Sequence, residues 1–195
     1  MRLMILLMSL LVTIPAGPAA AGKKAGVTLP DTITVAGKPL ALNGMGLREA
    51  TWLKIDVYVA GLYVEQVTSS PDRILAKDAT KLLILRFVRD VGRGDITKAW
   101  NDGFKNNSTV PLASIQPMID QFNNWMPSFK SGDSLLLTYV PGKGVTVHLN
   151  NVQKGVINND NFVRSLFSIW LGPKPPSSAL KKGLLGNHPA TVSTR

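Results

Sequence analysis

The chain has 195 residues, 45% apolar and 17% charged, a balance that fits one globular domain with a real core and excludes a disordered chain. Cysteine is absent, which excludes disulfides, thiolate metal sites, cysteine nucleophiles and a lipid-modified cysteine behind a leader. The net charge is +10, but the basic residues are scattered, with doublets only at Lys23-Lys24 and Lys181-Lys182, so a solvated surface fits better than a nucleic-acid interface.

Residues 1–21 have the form of an export signal. Arg2 is a short basic start, residues 3–14 are an apolar run, Pro15 and Gly17 break it, and Ala19-Ala20-Ala21 offers small residues to a signal peptidase. The run is short for a bilayer span, and no later segment reaches the roughly 18 apolar residues of a membrane helix. The expectation is cleavage near Ala21, a mature domain over residues 22–186 and a flexible tail over 187–195, in the periplasm or secreted.

Next, "ITVAGKPLAL" predicts a hairpin with Gly37-Lys38 at its turn. "GMGLREATWLKIDVYVAGLYV" carries Arg48 in a glycine-rich turn and then the strongest strand signal of the chain. There Leu53, Ile55, Val57 and Val59 alternate with Trp52, Lys54, Asp56 and Tyr58. Gly61 inside that strand marks a bulge or a close approach. "SSPDRILAKD" reads as a short helix with Ser70 as cap and Pro71 in its first turn. "KLLILRFVRDV" is apolar on both faces and belongs at the centre of a sheet.

"GDITKAWNDGF" predicts a helix capped by Asp95, with Ile96, Ala99, Trp100 and Phe104 on its apolar face. "SIQPMIDQFNNWM" predicts a second, with Pro117 in its first turn. "GDSLLLTYVPGKGVTVHLNN" is a hairpin turning at Pro141-Gly142-Lys143-Gly144. "NDNFVRSLFSIWLG" is a helix capped near Asp160 and closed by Gly172, and "SSALKKGLLG" a last helical turn. Strands and helices do not alternate regularly, so the expected fold is α+β, an antiparallel sheet with helices on one face.

Little in this sequence has the look of catalytic machinery. The two histidines, His148 and His188, make no metal-ligand spacing and no credible nucleophile triad. The glycine pairs "GKG" and "GRG" are turns, because no Lys-Ser or Lys-Thr helix start follows. No metal, cofactor or catalytic residue is assigned.

Four stretches in order resemble the chalcone isomerase family: "GMGLREATWLKIDVYVAGLYV", "LRFVRDVGRGDITKAWNDGF", "SGDSLLLTYVPGKGVTVHLNN" and "NNDNFVRSLFSIWLGPKPPSSALKKGLLG". The resemblance covers about residues 27–185, and the export signal and "IWLG…LLG" ending are most similar to the bacterial chalcone isomerase-like proteins. It implies an open-faced β-sandwich. Plant members of that family cyclise a chalcone to a flavanone, and related members bind fatty acids without that chemistry.

Carried over by position, Arg48 matches the family arginine that polarises a substrate or ligand oxygen. Tyr58 falls where the plant isomerase has threonine and where the fatty-acid-binding relatives have a tyrosine that helps hold the carboxylate. The plant enzyme's helix tyrosine, lysine and asparagine correspond to Asp95, Lys98 and Asp102, so only the lysine is kept. The resemblance therefore implies a ligand-binding set of Arg48, Tyr58 and Lys98, although the spacing of Asp95, Lys98 and Asp102 at i, i+3 and i+7 fits a solvated, salt-bridged helix face better. From the residues themselves, Trp52, Leu62, Phe87 and Trp100 offer apolar walls for an acyl chain.

Residue chemistry agrees: arginine suits bidentate carboxylate recognition, and a tyrosine hydroxyl supplies a second donor. The expected function is binding of a small amphipathic anion, a fatty acid, without chalcone cyclisation. The rival readings are an intramolecular lyase acting on an enone, and a ligand-free module whose basic surface makes weak contact with a partner or an anionic membrane. Nucleic acid is not an expected partner.

Overall fold

The computed structural model describes residues 20–50 and 55–186. The segment before residue 20, where an export signal is expected, the stretch 51–54 with Trp52, Leu53 and Lys54, and residues 187–195 with His188, where a flexible tail is expected, lie outside the described residues.

The sheet follows the order of the chain. Strands β3 (Thr32–Val35), β4 (Lys38–Ala50), β5 (Ile55–Val64), β6 (Lys81–Phe87), β7 (Ser134–Val140), β8 (Gly144–Leu149) and β9 (Val152–Ile157) lie side by side, each antiparallel to the next. Before them, β1 (Ala20–Lys24) and β2 (Val27–Pro30) form a separate hairpin. Helix α1 (Pro71–Leu75) interrupts the β5–β6 link, α2 (Arg93–Asn107) and α3 (Gln116–Trp125) interrupt the β6–β7 link, and α4 (Asp160–Leu171) and α5 (Ser178–Leu185) close the chain.

The architecture is the α+β one expected, and the long apolar β6 takes the middle of the sheet. Its two faces meet different partners. Leu83, Leu85 and Phe87 join Tyr58, Ala60 and Leu62 of β5 in the main core, against the apolar faces of the helices. Leu82 and Ile84 join Tyr63, Leu29 and Leu40 in a smaller cluster on the opposite face, roofed by the β1–β2 hairpin. Helix α4 is buried along nearly its whole length and sits at the heart of the main core.

Several boundaries differ from the sequence reading. The β3–β4 hairpin turns at Ala36-Gly37, one residue earlier than expected, with both residues at positive φ as a type I′ turn requires. Helix α2 starts two residues before Asp95, with Gly92 as N-cap, so Asp95 stands in the first turn and not at the cap. Ala99 is exposed and is not part of the buried face formed by Ile96, Trp100 and Phe104. The cap of α4 does fall beside Asp160 as expected: it is Asn159, its side chain accepting from the Phe162 N–H at 2.9 Å. Strand β9 was not foreseen: it is short, holds a lysine and a glycine, and follows a tight Asn150-Asn151 turn at positive φ.

The largest correction concerns "GMG". Gly44 to Arg48 is no turn; it is the interior of β4. Both glycines are there because α5 lies directly against the strand. A β-carbon at Gly46 would stand 2.4 Å from the Leu180 carbonyl oxygen, and one at Gly44 would stand 2.2 Å from that of Gly183. Gly61 stays in register, and the close approach there is made by the Leu29 side chain of the outer hairpin.

Candidate functional site

Paired residues in antiparallel strands project to the same face. Arg48 of β4 pairs with Tyr58 of β5, and Gly46 with Ala60 just before it. Ala60 and Tyr58 belong to the main core, so Arg48 projects to the helical side of the sheet, one step beyond the glycines that seat α5. The pairing register shifts immediately after Arg48, the kind of irregularity that re-aims a side chain beside a site.

Arg48 and Tyr58 together line a cavity of about 550 Å3. That lies within the range of about 300–1,000 Å3 for small-molecule sites. The strand ends contribute Ala50 and Val57, α2 contributes the side of the helix carrying Asp95, Ala99, Trp100 and Asp102, and residues 174–176 of the α4–α5 link close the far side. That link is clamped by Asn107, whose side-chain amide donates to the Lys174 carbonyl and accepts from the Lys174 N–H, each at 2.8 Å.

Tyr58 is not on a solvated face. It is 3% exposed, and its hydroxyl oxygen accepts from the Trp170 indole Nε1–H at 3.0 Å. Burial pushes its phenol up to about 12, against the opposing pull of the Trp170 hydrogen bond and the Arg48 charge. The hydroxyl therefore keeps its proton at neutral pH. Since the oxygen already accepts from Trp170, that proton is what Tyr58 has to offer a ligand. Arg48 donates through Nη1 to the carbonyl of its neighbour Glu49, which leaves the rest of its donor fork for another acceptor.

Lys98 lies elsewhere. It is exposed, pairs with Asp102 at 2.7 Å one helical turn on, and is not among the residues walling the cavity. The structure thus brings Arg48 and Tyr58 together and leaves Lys98 on a salt-bridged helix face. Of the expected apolar walls, Trp100 borders the cavity, Leu62 and Phe87 are buried in the core, and Trp52 is outside the described residues. His148 is half-buried on β8, and among the described residues no group of histidines and carboxylates could hold a metal ion.

Four contributors to the site were not foreseen. Trp170 and Asn107 act on residues far along the chain, and no local signal marks them. Arg89 and Lys174 are exposed cations on the cavity wall, which only the fold brings beside Arg48. The carboxylates on that wall are Asp90, Asp95 and Asp102, and two are already engaged: Asp102 with Lys98, and Asp90 with Lys130 at 2.8 Å.

A family model described as chalcone isomerase-like matches residues 21–186. Among solved structures, the chain is similar to a crystal structure of an Arabidopsis thaliana fatty-acid binding protein. The TM-score is 0.67 and the identity 18%, over 86% of this chain and 96% of that one, a likeness that speaks to the fold. No curated protein matches the sequence.

Proposed function

The chain belongs to the chalcone isomerase-like family, and on that premise we propose that it binds an amphipathic carboxylate, a fatty acid, in the cavity walled by Arg48 and Tyr58. The observation that carries this reading is the cross-strand pairing of those two residues on one cavity wall. Arginine meets both oxygens of a carboxylate, and the Tyr58 hydroxyl, which accepts from Trp170, keeps its own proton to give in a charge-assisted hydrogen bond. Ala50, Val57, Ile96 and Trp100 supply apolar surface for an acyl chain. The fatty-acid binding protein of similar fold supports the ligand class. Lys98 drops out of the proposed contact set.

The reading includes export. The basic start, apolar run and alanine triplet of residues 1–21 support removal of a leader near Ala21 and a mature chain outside the cytoplasm. N-terminal sequencing of the protein from its host tests this, and a chain that retains Met1 refutes it.

Palmitate titration followed by calorimetry tests the site. Arg48→Ala weakens binding by about 1.5–3 kcal/mol, the worth of a hydrogen bond to a charged group. Unchanged affinity in a variant with an intact circular dichroism spectrum overturns the assignment of Arg48.

A further inference from the structure

We propose that the head group of the ligand carries two acid groups, one held by Arg48 and Tyr58 and a second, a few bonds away, met by Arg89 and Lys174 at the mouth of the cavity. The proposal rests on the reading of the cavity as a carboxylate site.

The charge on the cavity wall does not balance. Arg48, Arg89 and Lys174 all border the cavity, and none of them forms an ion pair among the described residues. Three carboxylates border it too, but two are neutralised from outside. Asp102 pairs with Lys98 at 2.7 Å. Asp90 gives one oxygen to Lys130 at 2.8 Å and the other to the Ser131 N–H at 3.0 Å. Asp95 is the wall carboxylate without an ion pair among the described residues. Three uncompensated positive charges thus stand against one negative. A monoanionic ligand leaves one cation over, and a dianionic one balances the wall. Charge of one sign along a low-dielectric cleft focuses the field and draws in the opposite sign.

The strand register places the two acid groups. Tyr58 pairs with Arg48 on one side and with Phe87 on the other. The pairing continues past β6, where the Val88 N–H donates to the Val57 carbonyl at 3.0 Å. Arg89 therefore lies two residues beyond the level of Arg48 and Tyr58, about 7 Å nearer the strand ends at the usual rise per residue. Their exposure agrees with these levels: Arg48 is half-buried and Arg89 exposed. The two arginines flank β5, so about 10 Å separates their backbones across the sheet. Two long side chains reaching inward over that gap suit two acid groups on one head group.

Lys174 approaches from the opposite wall, and its place is fixed. Asn107, 4% exposed, binds the Lys174 N–H and the Lys174 carbonyl, each at 2.8 Å, and donates as well to the Gly103 carbonyl at 3.0 Å. A buried amide thus sets where this exposed cation starts, and only the backbone of Lys174 takes part in the clamp.

The test is calorimetric titration of the full chain with palmitate, N-palmitoylglutamate, N-palmitoylglutamine and hexadecanedioate. The glutamate and glutamine derivatives match in size and differ by one charge. The wild-type protein should bind the glutamate derivative about three- to tenfold more tightly than the glutamine one, the size of two exposed ion pairs. That preference should shrink as salt rises from about 20 mM to about 500 mM, because exposed cations are screened. The double variant Arg89→Gln, Lys174→Gln should abolish it, and Arg89→Lys alone should keep most of it. Hexadecanedioate, with its second acid at the far end of the chain, should gain nothing over palmitate.

Equal affinities for the glutamate and glutamine derivatives in the wild type overturn the proposal, as does a preference that survives the double variant. A gain confined to hexadecanedioate also overturns it, because the second acid then lies outside the head group. Palmitate binding that Arg48→Ala weakens, with no preference for the second charge, overturns it and leaves the carboxylate reading standing. Binding of no probe overturns both.

Discussion

Lys81 allows a test of how burial and charge balance in this fold. It opens β6, is 2% exposed, and donates to the Ile74 carbonyl at 2.8 Å and to that of Ala76. Its ammonium also lies 4.6 Å from the centre of the Tyr139 ring and 5.7 Å from that of Phe167. These contacts favour the charged form, yet desolvation outweighs them. Burial pushes the group down from 10.5 to about 8, with Asp78 pulling it up and Arg164 pressing it down.

A folded-state value below the unfolded one means that the unfolded chain holds more protons between pH 8 and 10.5, so stability rises with pH across that window. At about 1.4 kcal/mol per pH unit, the gain by pH 10 is roughly 2–3 kcal/mol. Above that, Tyr58 and Tyr63 act the other way. Their phenols are raised from 10.0 to about 12, so the stability that they contribute is present below pH 10 and lost as pH rises further.

The assay is urea denaturation at unit intervals from about pH 7 to about pH 10, comparing wild type with Lys81→Met. Loss of the two carbonyl partners shifts the variant by a constant offset. Shedding of surface charge affects both proteins alike. The expected signature is a wild-type profile that climbs relative to that of the variant. Parallel profiles would refute the reasoning, because they would mean that the buried ammonium is no harder to charge in the folded protein than in the unfolded chain.

The other predictions are as follows. Gly46→Ala should lower stability by about 1–3 kcal/mol, because its β-carbon meets the Leu180 backbone and α5 cannot yield. Gly94→Ala, in the first turn of α2 with nothing within 4 Å, should raise it by about 0.4–1 kcal/mol; a reversed order of thermal midpoints would sink this account. Tyr58→Phe should destabilise the unliganded protein by about 1–3 kcal/mol by orphaning the Trp170 N–H, and an unchanged denaturant midpoint would show that this bond contributes nothing. Hydroxychalcone should lose absorbance no faster than in buffer, since Asp95 and Asp102 offer no donor to an enolate; decay above that rate and abolished in Arg48→Ala would make the protein an enzyme.

Residues 38–64 show how far a sequence reading carries. Arg48 and Tyr58 were within reach together only through the family resemblance; residue chemistry alone fits a turn arginine and a solvent-facing strand tyrosine better, and their cross-strand pairing belongs to the fold. The alternation that marked Ile55 and Val57 also put Tyr58 on the face of Lys54 and Asp56, which suggested solvent. Beyond Val57 both faces of β5 are covered, one by helices and one by the outer hairpin, so alternation no longer distinguishes inside from outside.

By itself, the sequence determined the order and type of most elements, because hydrophobic period and turn chemistry are local. It determined the central place of β6, because a strand apolar on both faces has nowhere else to go. It also determined the absence of thiol chemistry. Only the tertiary structure decided that "GMG" seats a helix, that Trp170 sets the polarity of Tyr58, that Asn107 pins the far wall of the cavity, and that Lys98 stays outside it. Each of these depends on atoms separated by dozens of residues in the chain. The interactions that settle them, close packing and the pairing of buried donors, exist only once the chain has folded.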